Sequence, residues 1–219
     1  RRRCRQRVRR REVPMFTGIV ADVATVVGVQ TLSDESIRLD IDTQLSHNLE
    51  TGGSIAINGV CLTAEGIYGS TVSTVAMRET MIRTNLGGLT IGSHVNAELP
   101  LTLAQPLGGH LVSGHVDAVG ELTFREHTDV WDVLSIHAPA AISNYLVPKG
   151  SIAIDGVSLT VVDVNDDSDG SVTFTVSLIP ATLKHTTLGR AAVGAKLNLE
   201  ADMVAKYIER ITRGGRHEH

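Results

Sequence analysis

Aromatic residues are scarce in this chain, with three Phe, three Tyr and one Trp among 219 residues. Any core must be built from Val, Ile, Leu and Ala. Cysteine is scarcer still. Cys4 and Cys61 cannot make a disulfide framework, and a lone Cys61 thiol fits a reducing, cytoplasmic compartment. No apolar run approaches the roughly 18 residues of a transmembrane helix, so no membrane role is expected. G-x-G-x-x-G, the P-loop pattern and G-x-S-x-G are all missing, which excludes the common phosphate loops and the nucleophile elbow. His110 and His115 are not at a usual zinc spacing and no CxxC accompanies them. No metal site is expected.

What is present is ample apolar content, 42% of the chain, which excludes wholesale disorder. The net charge of −4 conceals an asymmetry. Residues 1–14 carry eight Arg and one Glu, leaving −11 on the rest. A uniformly basic nucleic-acid surface is therefore not expected on the folded part. The tail lacks the apolar stretch of a secretory signal. It reads as a transit peptide, a nucleic-acid arm, or sequence lying upstream of a natural start at Met15, and the last reading is preferred. His217 and His219 end the chain in a short polar stretch that does not by itself make a metal site.

The chain repeats itself. GSIAINGVCLT from Gly53 to Thr63 matches GSIAIDGVSLT from Gly150 to Thr160 at nine of eleven positions, at a shift of 97. FTGIV at Phe16 to Val20 faces VSGHV at Val112 to Val116. TNLG at Thr84 faces TTLG at Thr186, and VNAE at Val95 faces LNLE at Leu197, both at a shift of 102. The growth in shift locates a five-residue insertion, and the polar run Asn165 to Gly170 is its obvious place. Two copies of this length are two duplicated domains rather than a solenoid, divided near Ala104 to Gly109.

Each copy reads as short β-branched strands between Gly turns. The first has Ile37 to Ile41, Ser54 to Ile57, Thr71 to Val75 and Val95 to Leu99. The second has Val133 to Ile136, Ile152 to Ile154, Leu159 to Val164 and Val172 to Ser177. That pattern predicts an all-β fold of antiparallel barrels or sandwiches. Short helices are expected at Gln44 to Glu50, Arg78 to Thr84, Ala140 to Leu146 and Thr182 to Thr186. The one long helix runs from Met203 to Thr212, capped by Asp202, with Val204, Tyr207, Ile208 and Ile211 as an apolar stripe. The stripe packs either on its own barrel or on another chain.

Positions that differ between near-identical copies are where roles can diverge. Cys61 faces Ser158, Asn58 faces Asp155, and Ile19 faces His115. Each has a plain alternative. A single Cys is often a small buried hydrophobe. Asn-Gly and Asp-Gly are strong turn pairs. A His commonly satisfies a backbone partner. The chemical reading is a thiol and a hydroxyl at matched places, with an imidazole able to move a proton near neutral pH. Lys149 alone reads as a solvated loop charge, and Asp202 as an N-cap.

Met15 to Val20, Asn58 to Thr63, Gly108 to Asp117, Lys149 to Ile152, Asp155 to Thr160 and Ile179 to Leu183 together resemble the riboflavin synthase family, alpha-chain type, over Met15 to about Arg210. The resemblance implies two tandem six-stranded antiparallel Greek-key barrels and a C-terminal α-helix. It divides the chain into an Arg-rich disordered tail (1–14), an N-terminal lumazine-binding barrel (15–108), a C-terminal one (109–201) and an oligomerisation helix (202–214). It implies a homotrimer through that helix, association with lumazine synthase as a further option, and no cofactor. Two molecules of 6,7-dimethyl-8-ribityllumazine would dismutate by four-carbon transfer to riboflavin and 5-amino-6-(ribitylamino)uracil.

The resemblance also carries site residues. His115, Cys61 and Ser158 are the catalytic candidates, His115 for proton transfer and the other two for acting on C7. Phe16 would stack or order the mouth. Ser54, Thr63, Thr160, Lys149, Asp155 and Asp202 match positions near substrate. Gly18, Ile19, Val20, Leu62, Gly114, Val116 and Leu159 complete the matched motifs. The segments Val75, Ala76, Met77, Arg78, Glu79, Thr80 and Ile179, Pro180, Ala181, Thr182, Leu183, Lys184 would bind substrate largely through backbone groups. STVAMRET at 73–80 departs from the usual pattern of an acidic or aromatic residue before the Met, which leaves the contact there to the backbone. Two rivals share the architecture. One is a non-catalytic lumazine- or flavin-binding protein. The other is the flavin domain of a reductase, for which no nicotinamide-binding half follows.

Overall fold

A computed structural model describes residues 14–128 and 130–214. Most of the Arg-rich tail, Cys4 and the terminal histidines lie outside the described residues. Twelve strands close into two barrels of six, one for each copy of the repeat. The N-terminal barrel comprises β1 (Asp22–Thr31), β2 (Ile37–Asp42), β3 (Ser54–Ile57), β4 (Val60–Tyr68), β5 (Thr71–Ala76) and β6 (His94–Glu98), ordered β1-β2-β5-β4-β3-β6. The C-terminal barrel comprises β7 (Ala118–His127), β8 (Asp132–Ala138), β9 (Ser151–Ile154), β10 (Val157–Asp166), β11 (Val172–Leu178) and β12 (Lys196–Ala201). Closure leaves no free edge for a stray strand to extend.

Period-2 burial drives each barrel. In β2, Leu39 and Ile41 point inward and are fully buried while their neighbours reach the surface. Each barrel fills with aliphatic residues, and among the described residues Phe174 is the one fully buried aromatic of the barrel cores, with Tyr145 packed at the edge of the second. The β1, β4, β7 and β10 registers each slip once, at Val26/Gly28, Ala64/Gly66, Leu122/Phe124 and Val161/Asp163. Such bulges bend a strand and raise its twist, as closing a small barrel requires. They also explain why alternation failed to announce β1, β4 and β7 along their lengths.

The five-residue insertion is where the repeat placed it. The β4–β5 connection spans residues 69–70, and its counterpart between β10 and β11 spans 167–171. Helix α1 (Arg78–Arg83) and helix α3 (Pro180–His185) follow β5 and β11 at equivalent places, α2 (Ala140–Ser143) follows β8, and α4 (Met203–Gly214) ends the described chain. Among the described residues no helix is long and apolar enough to cross a membrane.

The barrels meet across a polar seam with twofold character. Asn96 N–H donates to Asn58 Oδ1 (2.8 Å), and Asn198 N–H donates to Asp155 Oδ1 (2.7 Å). The Asn96 amide then crosses to the Asp155 carbonyl, and the Asn198 amide to the Asn58 carbonyl, each at 2.9 Å. At the centre the two turns touch, so that a Cβ added to Gly59 would lie 2.7 Å from the Gly156 nitrogen. The Asn-Gly and Asp-Gly pairs have positive φ at both residues, the two-residue hairpin turn that the plain reading expected. A cleft of about 400 Å3 opens along the seam, with Asn58, Asn85, Asp155 and Thr187 among its lining residues.

Candidate functional site

A short strap precedes the barrel in each copy, residues 15–21 in the first and 109–117 in the second. The straps bridge to each other through Phe16 and Val112, whose backbones exchange both hydrogen bonds (2.7 and 3.1 Å). Each strap then lies on the opposite barrel. Gly18 C=O accepts from Ser158 N–H at 2.7 Å, and Gly114 C=O accepts from Cys61 N–H at 2.9 Å. Both contacts demand glycine. A Cβ on Gly18 would lie 2.6 Å from Ser158 Cβ, a Cβ on Gly114 2.6 Å from Cys61 Cβ, and φ is positive at both. The first strap touches both barrels, its own through Glu98 and Ala97 and the other through Ser158.

The exchange sorts the candidate residues into two groups. On the N-terminal barrel, Cys61, Leu62 and Thr63 of β4 join Ser54 of β3 and Gly114, His115 and Val116 of the second strap. Ser54 pairs with Thr63. Ala64 of β4 pairs with Thr74 of β5, and one step further along β5 lie Val75, Ala76 and the exposed Met77 that opens α1. On the C-terminal barrel, Ser158, Leu159 and Thr160 of β10 join Gly18, Ile19 and Val20 of the first strap, with Ile179 opening α3. Lys149 is exposed in the turn before β9, its N–H donating to the Val161 carbonyl at 2.8 Å. Neither α1 nor α3 has a side-chain cap, so first-turn N–H groups remain available as donors at the end of each barrel.

The groups differ chemically. Cys61 is half-buried, and burial pushes its thiol pKa up. A hydrogen bond with Ser54 works against that rise, and the nearby Glu200 charge reinforces it. The thiol is therefore protonated at neutral pH. His115 is exposed beside it, with Nδ1 3.1 Å from Ser113 Oγ. Ser158 Oγ, in contrast, lies 2.6 Å from His110 Nδ1. Burial holds the His110 pKa down, opposed by the charge of Asp202, so the ring is neutral near pH 7. Its Nε2 is buried without a hydrogen-bond partner. A neutral imidazole against a hydroxyl is a base poised to take its proton. Asp202 also accepts from Val204 N–H at 2.9 Å, the N-cap expected for α4.

Two expected contacts lie elsewhere. Phe16 does not order a mouth. It is fully buried with Ala56, Val112 and Ala153, behind Cys61, because a large aromatic side chain gains most from burial between the barrels. Asp155 sits in the seam, where its Oδ1 accepts from Asn198 N–H and from the Asn85 amide at 2.8 Å. Its divergence from Asn58 therefore belongs to the joining of the barrels. Burial raises the Asp155 carboxyl to about 7.

Sequence reasoning missed His110 as a partner of Ser158. It also passed over Glu98 and Glu200, although the VNAE/LNLE repeat contained both. Among the described residues no group of three His, Cys, Asp or Glu is arranged to hold a metal ion.

The lumazine binding domain family matches the chain twice, over residues 17–100 and 113–202. Riboflavin synthase of Mycobacterium tuberculosis is 47% identical over 201 residues, covering 91% of this chain and 98% of the relative. That of Actinobacillus pleuropneumoniae is 39% identical over 197 residues, covering 89% and 88%. That of Escherichia coli is 38% identical over 193 residues, covering 86% and 87%. Among solved structures, LumP complexed with 6,7-dimethyl-8-(1'-D-ribityl) lumazine aligns with a TM-score of 0.75 at 21% identity, covering 85% of this chain and 98% of that one. LumP complexed with riboflavin aligns at 0.76 and 22%, with the same coverage. At that identity the likeness is one of fold.

Proposed function

The chain belongs to the riboflavin synthase family of lumazine-binding proteins, and from that premise we propose that it converts two molecules of 6,7-dimethyl-8-ribityllumazine into riboflavin and 5-amino-6-(ribitylamino)uracil. The observation that carries the reading is the pair of equivalent but chemically unlike side-chain groups, one around Cys61 and one around Ser158. A dismutation needs two sites for one substrate and different chemistry in each.

One lumazine must lose a proton from its C7 methyl group, and the other must be activated at C7. His115 in the Cys61 pocket is placed for proton removal, held by Ser113. Ser158 with His110 supplies an activated hydroxyl for addition to C7 of the partner molecule. Cys61, with its raised pKa, lines the first pocket as a neutral thiol. Holding the two rings in register supplies much of the remaining rate. First-turn backbone N–H groups at Arg78–Thr80 and Ala181–Thr182 suit the pyrimidine and ribityl oxygens, with Lys149 at the rim.

The apolar stripe on α4 favours association of three chains. Val204, Tyr207, Ile208 and Ile211 are 57–72% exposed and face away from their own barrel. Pockets from neighbouring chains would then face each other, the Cys61 pocket of one against the Ser158 pocket of the next.

The test is direct. The purified protein is incubated with 6,7-dimethyl-8-ribityllumazine and no added cofactor, and products are separated by chromatography. One riboflavin formed per two lumazines consumed is expected. Lumazine binding without turnover would replace the reading with a carrier resembling LumP.

A further inference from the structure

Two of the buried carboxylates outside this chemistry stand at matching places in the two copies. Glu98 closes β6 and Glu200 lies in β12, at equivalent places, 7% and 4% exposed. Buried carboxylates are costly unless well hydrogen-bonded, and each of these accepts three bonds from a strap. Glu98 accepts from Thr17 N–H (2.7 Å), Thr17 Oγ1 (2.7 Å) and Gly18 N–H (3.0 Å). Glu200 accepts from Ser113 N–H (2.6 Å), Ser113 Oγ (2.8 Å) and Gly114 N–H (2.9 Å).

The same glycines that donate to these carboxylates present their carbonyls to the far barrel. Gly18 takes Ser158 N–H, and Gly114 takes Cys61 N–H. The clamped Thr17 hydroxyl in turn accepts from Ile19 N–H at 3.1 Å, and Ser113 Oγ meets His115. Each carboxylate thus fixes the strap residue that projects into the pocket of the other barrel.

We propose that Glu98, on the N-terminal barrel, is a positioning residue for the Ser158 pocket of the C-terminal barrel, and that Glu200 does the same in reverse for the Cys61 pocket. The inference rests on the two-pocket reading above, but not on turnover. Damage to one barrel's carboxylate appears in the opposite pocket.

The test uses the full chain with Glu98→Gln and Glu200→Gln. A glutamine of the same shape turns an amide N–H toward a backbone N–H, so at least one of the three bonds fails. The Cys61 pocket is read by its alkylation rate, using peptide mass mapping so that Cys4 is scored separately. The Ser158 pocket is read by amide hydrogen exchange at Ser158, whose N–H donates to Gly18 C=O. Losing one charge-assisted bond corresponds to about tenfold, so E200Q accelerates Cys61 alkylation about tenfold and leaves Ser158 N–H exchange in place. E98Q accelerates Ser158 N–H exchange about tenfold and leaves Cys61 unchanged. Because E200Q also removes a charge near Cys61, Ser113→Ala is included. It keeps the carboxylate and cuts one strap bond, and a few-fold acceleration is expected. Thr17→Val is its counterpart for Ser158, and both serve if a glutamine variant fails to fold. Each variant disturbing its own barrel's pocket, or both pockets alike, would overturn the proposal. Absence of riboflavin formation by the unsubstituted protein would sink the synthase reading and leave this one to stand on the two readouts.

Discussion

The two pockets are built from the same eleven-residue motif, yet one carries a thiol with a serine neighbour and the other a hydroxyl with a buried histidine. Burial keeps the Cys61 thiol neutral, against the pull of the Ser54 hydrogen bond. His110 lies 2.6 Å from Ser158, within reach of its hydroxyl proton. The first copy has Pro14 where the second has His110, so no such pair can form there. A duplication keeps two sites alike in shape, and small differences in the strap then set unlike chemistry in each.

That contrast can be broken most severely at Ser158. Ser158→Ala should lower turnover about a hundredfold or more, since it removes the proposed nucleophile, while thermal stability stays near that of the parent protein. His110→Gln should approach the same loss, in the range of about 10²–10⁴ for a positioned base. The pH profile sharpens the assignment. With its pKa held below the 6.5 of a free imidazole, His110 keeps its base form into mildly acid solution, so activity should decline only below that value. The Gln variant should lose this acid limb. An unchanged limb in H110Q would assign the titration to another group.

A smaller effect is expected at the seam, where Asn58 faces Asp155. The folded chain holds a proton on Asp155 up to about pH 7, whereas the unfolded chain releases it near 3.8. The group's stabilising contribution is therefore fullest below about pH 4 and is lost as pH rises toward 7. Asp155→Asn restores the amide of the other copy and removes that slope. Between pH 5 and pH 8 the parent protein should lose on the order of 2 kcal/mol more stability than D155N. Thermal and urea unfolding at both pH values would show it, and parallel slopes would remove Asp155 from the explanation.

The smallest effect concerns Cys61→Ser, which makes the first pocket resemble the second in its hydroxyl but supplies no base. Turnover should fall by less than about tenfold, because a neutral thiol and a neutral hydroxyl differ little as pocket walls. A loss as large as that of S158A would mean that Cys61 itself acts on substrate.

Much of this architecture was legible in the sequence because duplication prints the same pattern twice. The GSIAI motif marks β3 and β9 with their hairpin turns, and the change in shift marks the long β10–β11 connection. Bulged strands were harder to read, since one extra residue at Val27 or Glu65 inverts the alternation halfway along. The site was half legible. Cys61, Ser158 and His115 stand out as differences between copies. Asp155 does too, but a difference between copies reports divergence without saying whether a pocket or a seam diverged. The Ser158–His110 pair joins residues 48 positions apart, and no local pattern announces such a contact. Glu98 and Glu200 are alike in both copies, so comparing the copies passes over them.

The strap exchange has a consequence for the origin of the chain. Phe16 meets Val112 as Val112 meets Phe16, Gly18 meets Ser158 as Gly114 meets Cys61, and Asn96 and Asn198 reach across the seam in matching fashion. Reciprocal contacts of this kind are the mark of an isologous dimer. The two-barrel chain is, in geometry, a dimer whose subunits have been spliced end to end. A homodimer must keep its two faces identical, and splicing releases that constraint. Only after fusion could one strap acquire His115 while the other kept Ile19.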